Sequence, residues 1–362
     1  MNKYNSLFAV FSVFLIVNIS CKQSPFYSAS DFEKVQKIDV HFHYNTPDIR
    51  YLQFADSLNF RFVSPNVDAE MPIDEQLEIA ASLKNQFPDQ FTFLGTFSVD
   101  SFNNSGFAEE TIARIDQCMK AGASGIKIWK NIGMTLKDTS GRYVMADDPA
   151  FKDIFRYMEA NKIPLMAHLG EPKNCWLPEN EMTLDNDRRY FKNHPEYHMY
   201  LHPEAPSYQD QLDARDSLLR KYPALNVVGA HLGSMEWSVD EIAARLDRFP
   251  NFYVDMSARI GHLQYQALTD REKVRDFMIR YQNRIMYGTD MAVDEADASF
   301  VAVANGLRNR WFEQWLFLAT DSMIEVKDLG GQKVKGLQLP REVIDKIYSR
   351  NTEELFKIKN RK

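Results

Sequence analysis

The chain has 362 residues, 44% of them hydrophobic and 26% charged, so it can bury a large core and is not compositionally disordered. Its formal net charge of −7 is spread without a basic block, which gives no support for nucleic-acid binding. Three cysteines in a chain of this size do not indicate a disulfide framework.

Residues 1–20 read as an export signal, with Lys3 as the positive start and an apolar stretch from Leu7 to Ile19 interrupted by Ser12 and Asn18. The stretch is short for a membrane span. Cys21 follows Ile19-Ser20 and resembles a bacterial lipoprotein cleavage site, although Asn18 stands where such sites usually carry Leu. An ordinary signal peptide or an uncleaved anchor is the alternative. Cleavage would remove Lys3 and take the formal charge from −7 to −8. Residues 21–36 then read as a tether, and 37–362 as one domain. Lys22 after the cysteine favours an outer-membrane destination, on its periplasmic or surface face, by resemblance to envelope lipoproteins. Of the other two cysteines, Cys118 falls in an amphipathic run and reads as core, and Cys175 lies in a loop.

The domain opens on Lys37-Ile38-Asp39-Val40-His41-Phe42-His43. On a strand, Asp39, His41 and His43 share one face and the apolar residues the other. Two imidazoles so spaced reach one metal ion, although the heptad alone also fits a polar face turned to water. Further β-type runs follow at Arg61 to Asp68, Phe91 to Asp100, Gly125 to Lys130, Pro164 to Leu169, Asn226 to Leu232, Phe252 to Arg259 and Arg284 to Asp290. Helical runs lie between them, such as Pro72 to Gln86, Glu109 to Ala121 and Pro149 to Asn161. Eight β runs alternating with helices predict an α/β fold, a distorted parallel (β/α)₈ barrel. An open doubly wound sheet is the alternative, but no G-x-G-x-x-G loop follows an early strand.

Two excursions break the alternation. Gly170 to Ser207 carries Trp176, Arg188, Arg189, Tyr190, His194, His198 and His202, and long loops at this end of a barrel tend to be functional. Its three histidines read as surface or packing residues, since Pro195 and Pro203 argue against one helix. Met323 to Leu339 reads as a hairpin, and Arg341 to Phe356 as a closing helix docked on the barrel.

In such a barrel function lies at the C-terminal strand ends. Strand one ends in His41 and His43, strand five in His168, strand six in His231 and strand eight in Asp290. A lone histidine on an apolar strand is more often core than ligand, but four of the chain's eight at matching ends, with an aspartate, are hard to assign to packing.

The Asp-x-His-x-His opening, His168, His231 and the Gly-Thr-Asp290 ending resemble the amidohydrolase superfamily, in its amidohydrolase-related branch of lactone hydrolases and zinc-dependent decarboxylases. The resemblance runs from about Lys37 to Asp290. It implies a metallo-dependent hydrolase barrel in which His41, His43, His168 and Asp290 bind one divalent ion, with zinc the expected metal. It also implies that His231 faces the substrate. The ion would lower the pKa of bound water, Asp290 accept its proton, and His231 polarise a carbonyl or donate a proton. Asp39 is then a residue that orients the histidines, or a buried structural carboxylate. Lys127 faces inward with Trp129 if its strand is regular. Binuclear relatives carry a carboxylated lysine at strand four, and mononuclear members of the branch often an ordinary lysine, which is the expectation here, with Lys127 holding a substrate anion or Asp290. Arg259 and Arg188 are candidate carboxylate clamps, with structural salt bridges the alternative, and Glu171, Trp176 and Trp237 candidates to line the pocket. The reading is a metal-dependent hydrolase of a small carbonyl substrate such as an anionic lactone, ester or amide, membrane-anchored through lipid. A non-oxidative decarboxylase and a non-catalytic binding lipoprotein are the rivals.

Overall fold

The computed structural model describes residues 24–69, 71–295 and 299–359, so the export signal expected over 1–20 and the lipidation site at Cys21 lie outside the described residues. The barrel strands are β1 (Lys37–Asp39), β2 (Phe60–Pro65), β3 (Phe91–Leu94), β4 (Ile126–Ile128), β5 (Leu165–Ala167), β6 (Val227–Gly229), β7 (Phe252–Asp255) and β8 (Ile285–Met286). β1 to β3 pair in parallel as one sheet and β4 to β8 as another. Backbone hydrogen bonds join the two sheets at both seams. Lys127 N donates to Gly95 O at 2.7 Å, and Val40 N to Tyr287 O at 3.0 Å. The result is a closed (β/α)₈ barrel of TIM type.

Strand periodicity sorts the side chains. Ile38, Val63, Leu94, Met166, Val228 and Met286 face inward and pack together, while their neighbours face the surrounding helices. Leu355 and Phe356 join this inner cluster and plug the barrel from below, after the short helices Arg341–Asp345 and Asn351–Leu355 and the π-turn between them. Lys127, in register with Met166, also points inward, and so, one pleat above Met166 and Tyr253, do His168 and Asp255. The barrel is therefore apolar at its base and polar at its C-terminal rim. Outer helices are amphipathic in the usual way: in Val239–Arg248, Ile242 and Leu246 are buried, and the Ser238 hydroxyl accepts from Glu241 N to cap the first turn.

Observed strands are shorter than the apolar runs suggest, because the chain bends where each run reaches the rim. His231, Leu232, Ala258 and Asp290 all have left-handed backbone, with φ between 55° and 63°. The opening heptad breaks as well. β1 stops at Asp39, and Phe42–Asn45 forms a separate parallel pair with Met291–Asp294. His41 and His43 thus do not sit on one regular strand. The hairpin is Met323–Val326 against Gln332–Lys335. The stretch expected as a tether is packed where it is described: Arg341 N donates to Pro25 O at 2.9 Å, Tyr27 donates to Asp345 at 2.7 Å, and Phe32 is buried. Cys118 and Cys175 are both buried and unpaired.

Candidate metal centre

The break after β1 turns His41 toward the residues that follow β8. Asp290 N donates to His41 O at 2.8 Å, and Asp290 Oδ1 lies 3.3 Å from His41 Nε2 and 3.2 Å from His43 Nε2. These three residues offer ligand atoms all within 4.8 Å of one another. That is the spacing of donors around a single ion. His168 stands apart from that trio, with its ring centroid 4.2 Å from that of His231, which is in turn 4.9 Å from His41. The Nε2 atoms of His168 and His231 are buried and have no hydrogen-bond partner among the described residues. Buried nitrogens of this kind are costly unless a ligand, ion or water completes them. The donor set therefore fits a divalent ion.

Burial holds these imidazoles neutral, as ligation requires. It lowers His168 to about 4. His41 is also lowered, by burial and then by the Lys127 charge, and His231 falls well below its usual value through burial and then His168. Asp290 keeps 32% of its side chain open to solvent. The desolvation it suffers is outweighed by His231, His41 and His43, which hold its carboxyl well below the usual range. His231 Nδ1 lies 2.9 Å from Ser257 O, an acceptor only, so Nδ1 carries the proton and Nε2 presents a lone pair.

Lys127 is fully buried, with Nζ 2.9 Å from His41 Nε2, and burial lowers it to about 8. β4 ends at Ile128, so Trp129 does not continue the inward face and is half-buried beside Lys130. Asp39 accepts at Oδ1 from Thr289 N at 3.0 Å and His41 N at 3.3 Å. At Oδ2 it accepts from Thr289 Oγ1 at 2.6 Å and Trp311 Nε1 at 3.2 Å. It thereby ties the end of the first strand to the residue before Asp290.

Glu171 sits beside this floor, its Oε2 3.9 Å from His168 Nε2 and 3.6 Å from an Arg259 nitrogen, while Lys130 donates to its other oxygen. Burial opposes its ionisation, but the Lys130 charge prevails and Glu171 stays a carboxylate. Arg259 Nε is buried without a hydrogen-bond partner among the described residues. Arg188 and Trp176 are not brought to the rim. Arg188 binds Asp185 and Met182 O, and the Trp176 indole donates to Pro206 O at 3.3 Å while its ring packs on a small cluster of Met134, Cys175, Met182, Phe191 and Met199. Trp237 is 38% exposed under Lys173. His194 and His202 pair with Glu196 and Glu204, and His198 with Leu177 O, so these histidines do not converge.

Comparison with known proteins follows the same outline. Residues 38–358 match the model of the family described as amidohydrolase. The chain belongs to that family. Among solved structures, this amidohydrolase is similar to an amidohydrolase II, at 16% identity and TM-score 0.52, covering 89% of this chain and 100% of the other. It is also similar to an uncharacterised TIM-barrel protein from Bordetella bronchiseptica, at 14% identity and TM-score 0.52, with 88% and 98% covered. A 2,6-dihydroxybenzoate decarboxylase from Rhizobium follows at 16% identity and TM-score 0.49, with 89% and 99% covered. No curated protein matches the sequence.

Three groups at the rim escape a reading by strand ends. Asp255 closes β7, but the apolar-looking run continues to Arg259 and hides where the strand stops. Lys130 lies one residue beyond Trp129, and only the turn after β4 aims it at Glu171. Ser257 contributes through its backbone carbonyl, which no residue type reveals. The one available signal was the pleat, since Asp255 lies two residues on from Tyr253 as His168 does from Met166.

Proposed function

We propose that this amidohydrolase is a metal-dependent hydrolase of a small carbonyl substrate, such as a lactone, ester or amide. His41, His43, His168 and Asp290 are the proposed ligands of one divalent ion, with zinc the preferred metal. The observation that carries the reading is Asp290 Oδ1 within 3.3 Å of both His41 and His43, with the unpartnered Nε2 atoms of His168 and His231 buried on the same rim. A divalent ion held there supplies Lewis acidity, polarising a carbonyl oxygen and making water more acidic.

The protein's own groups supply the rest. The Asp290 carboxylate accepts a proton from the attacking water. His231, neutral and with its lone pair on Nε2, starts as an acceptor and becomes the acid only after taking up the proton that Asp290 accepted from water, which it then delivers to the leaving oxygen or nitrogen, leaving both groups as they began. Arg259, with an unpartnered Nε, is the group proposed to meet a substrate anion. Lys127 lends positive charge beneath the site. Turnover in ¹⁸O-labelled water tests the assignment. A hydrolase puts label into the new carboxyl group of the product. Stoichiometric carbon dioxide with an unlabelled remaining product would replace it with a decarboxylase.

We also propose that the protein is exported and lipid-anchored at Cys21, on the strength of the apolar stretch that ends just before it. Detergent partitioning and mass spectrometry of the mature N-terminus test this. A Cys21→Ala protein that stays in the membrane with an unchanged N-terminus would refute it.

A further inference from the structure

Asp255 makes more contacts at the rim than any proposed ligand needs. It is fully buried, and Oδ2 lies 3.1 Å from His41 Nδ1. Oδ1 accepts from two backbone groups, His231 N at 2.9 Å and Ser257 N at 3.0 Å. Ser257 in turn offers its carbonyl to His231 Nδ1 at 2.9 Å. One carboxylate therefore touches the His41 ring directly and sets the His231 ring through Ser257. It does so where the chain needs holding, because His231 and Leu232 both occupy left-handed backbone, at φ of 59° and 58°.

Asp255, His41 and His231 also lie close enough together to hold an ion themselves. Both Asp255 oxygens are already occupied as acceptors, however, and His41 turns Nδ1 to Asp255 and Nε2 to Asp290 and Lys127. We infer that Asp255 is a positioning residue that fixes His41 as the Nδ1–H tautomer, so that Nε2 presents its lone pair to the centre, and that sets the His231 ring through Ser257. The inference rests on the proposed ligand set for its consequence, but the tautomer itself does not require an ion.

Asp255→Asn separates the two halves of this role. The amide oxygen can still accept from both backbone groups, and turning it the other way would set its NH₂ against two buried N–H donors. The NH₂ therefore faces His41 Nδ1, which must become the acceptor, and the ring proton moves to Nε2. Second-sphere losses of this kind typically cost 10–100-fold in metal affinity.

The test combines ¹⁵N spectra of histidine-labelled, metal-free protein with zinc affinity and urea unfolding. The expected results are a wild-type His41 protonated at Nδ1, and an Asp255→Asn protein that still unfolds cooperatively but carries the proton at Nε2 and binds zinc about 10–100-fold more weakly. Should the variant not fold, the wild-type spectrum alone still decides. A wild-type His41 protonated at Nε2, or an Asp255→Asn protein with unchanged zinc affinity, would overturn the inference. A wild type that takes up no ion, with the tautomer switch intact, removes the metal reading and leaves the positioning of His41 standing.

Discussion

Replacing Asp39 by Asn should cost far more than its isosteric shape suggests, because the carboxylate is surrounded by donors on every side. Four hydrogen bonds end on it, from His41 N, Thr289 N, Thr289 Oγ1 and Trp311 Nε1. An Asn oriented to keep the two backbone bonds turns its NH₂ toward Trp311 and Thr289. The Thr289 hydroxyl can rotate and accept, but the indole N–H of the fully buried Trp311 cannot, so two donors meet about where 3.2 Å now separates donor from acceptor. A buried donor left unsatisfied costs about 1–3 kcal/mol, and a loss in that range is expected above pH 7, since burial raises Asp39 to about 7. Urea unfolding of the chelated protein measures it. The mechanism also predicts non-additivity. Trp311→Phe removes the opposing donor, so the double mutant should be at least about 1 kcal/mol more stable than the sum of the single losses. Strict additivity would refute the reasoning, and so would a cost below about 1 kcal/mol for Asp39→Asn.

His43→Ala should lose most of the bound ion, whereas Lys127→Ala should keep it, since the Lys127 ammonium competes for the same His41 Nε2. Metal content per mole decides, and loss on removing Lys127 would point instead to a carboxylated lysine that bridges two ions. Gly288→Ala should weaken both fold and site, because a Cβ there would stand 2.3 Å from Ser257 Oγ and 3.1 Å from His41 Cβ. Overpacking of this sort costs about 1–3 kcal/mol, and unfolding together with zinc affinity reads it. In the chelated protein the lowered His168 value makes stability fall with acid. The unfolded chain takes up a proton near pH 6.5 and the folded one only near pH 4, so between those values the unfolded state binds more protons. The contribution is absent above pH 7 and reaches about 2 kcal/mol of destabilisation at pH 5. His168→Asn should flatten that part of the pH–stability curve, and an unchanged slope would discount it.

The barrel was legible because its strands and helices differ in period, and because buried parallel strands read as apolar runs with a polar residue where they end. That rule singled out His168, His231 and Asp290; His168 and His231 lie within two residues of their strands' ends, Asp290 lies four residues past Met286, and the structure brings Asp290 against His41 and His43. It also lengthened most strands by several residues. Apolar side chains persist past the last ladder bond, and bends at His231, Ala258 and Asp290 are made by left-handed non-glycine residues that carry no turn signature. The long excursion after β5 was legible as an irregular segment but not in its parts. Arg188 and Trp176 have the chemistry of pocket residues, and the structure gives them partners within the excursion, Asp185 and Met182 O for Arg188 and Pro206 O for Trp176.

What distinguishes the missed groups is the kind of contact they make. Ligand candidates are recognisable by residue type, since few side chains bind a divalent ion. Residues that aim those ligands act through ordinary hydrogen bonds, often to backbone, and any acceptor at the right place will do. Asp255 illustrates the difference: as one more aspartate in the sequence it carries no mark, and its role exists only because the turn after β6 brings His231 N above β7 while the break after β1 brings His41 Nδ1 to the same carboxylate. Both bends are properties of the closed barrel. The tautomer of His41 is therefore set by long-range topology rather than by its own heptad, and a variant at position 255 should be felt at residues 24 and 214 positions away in the chain.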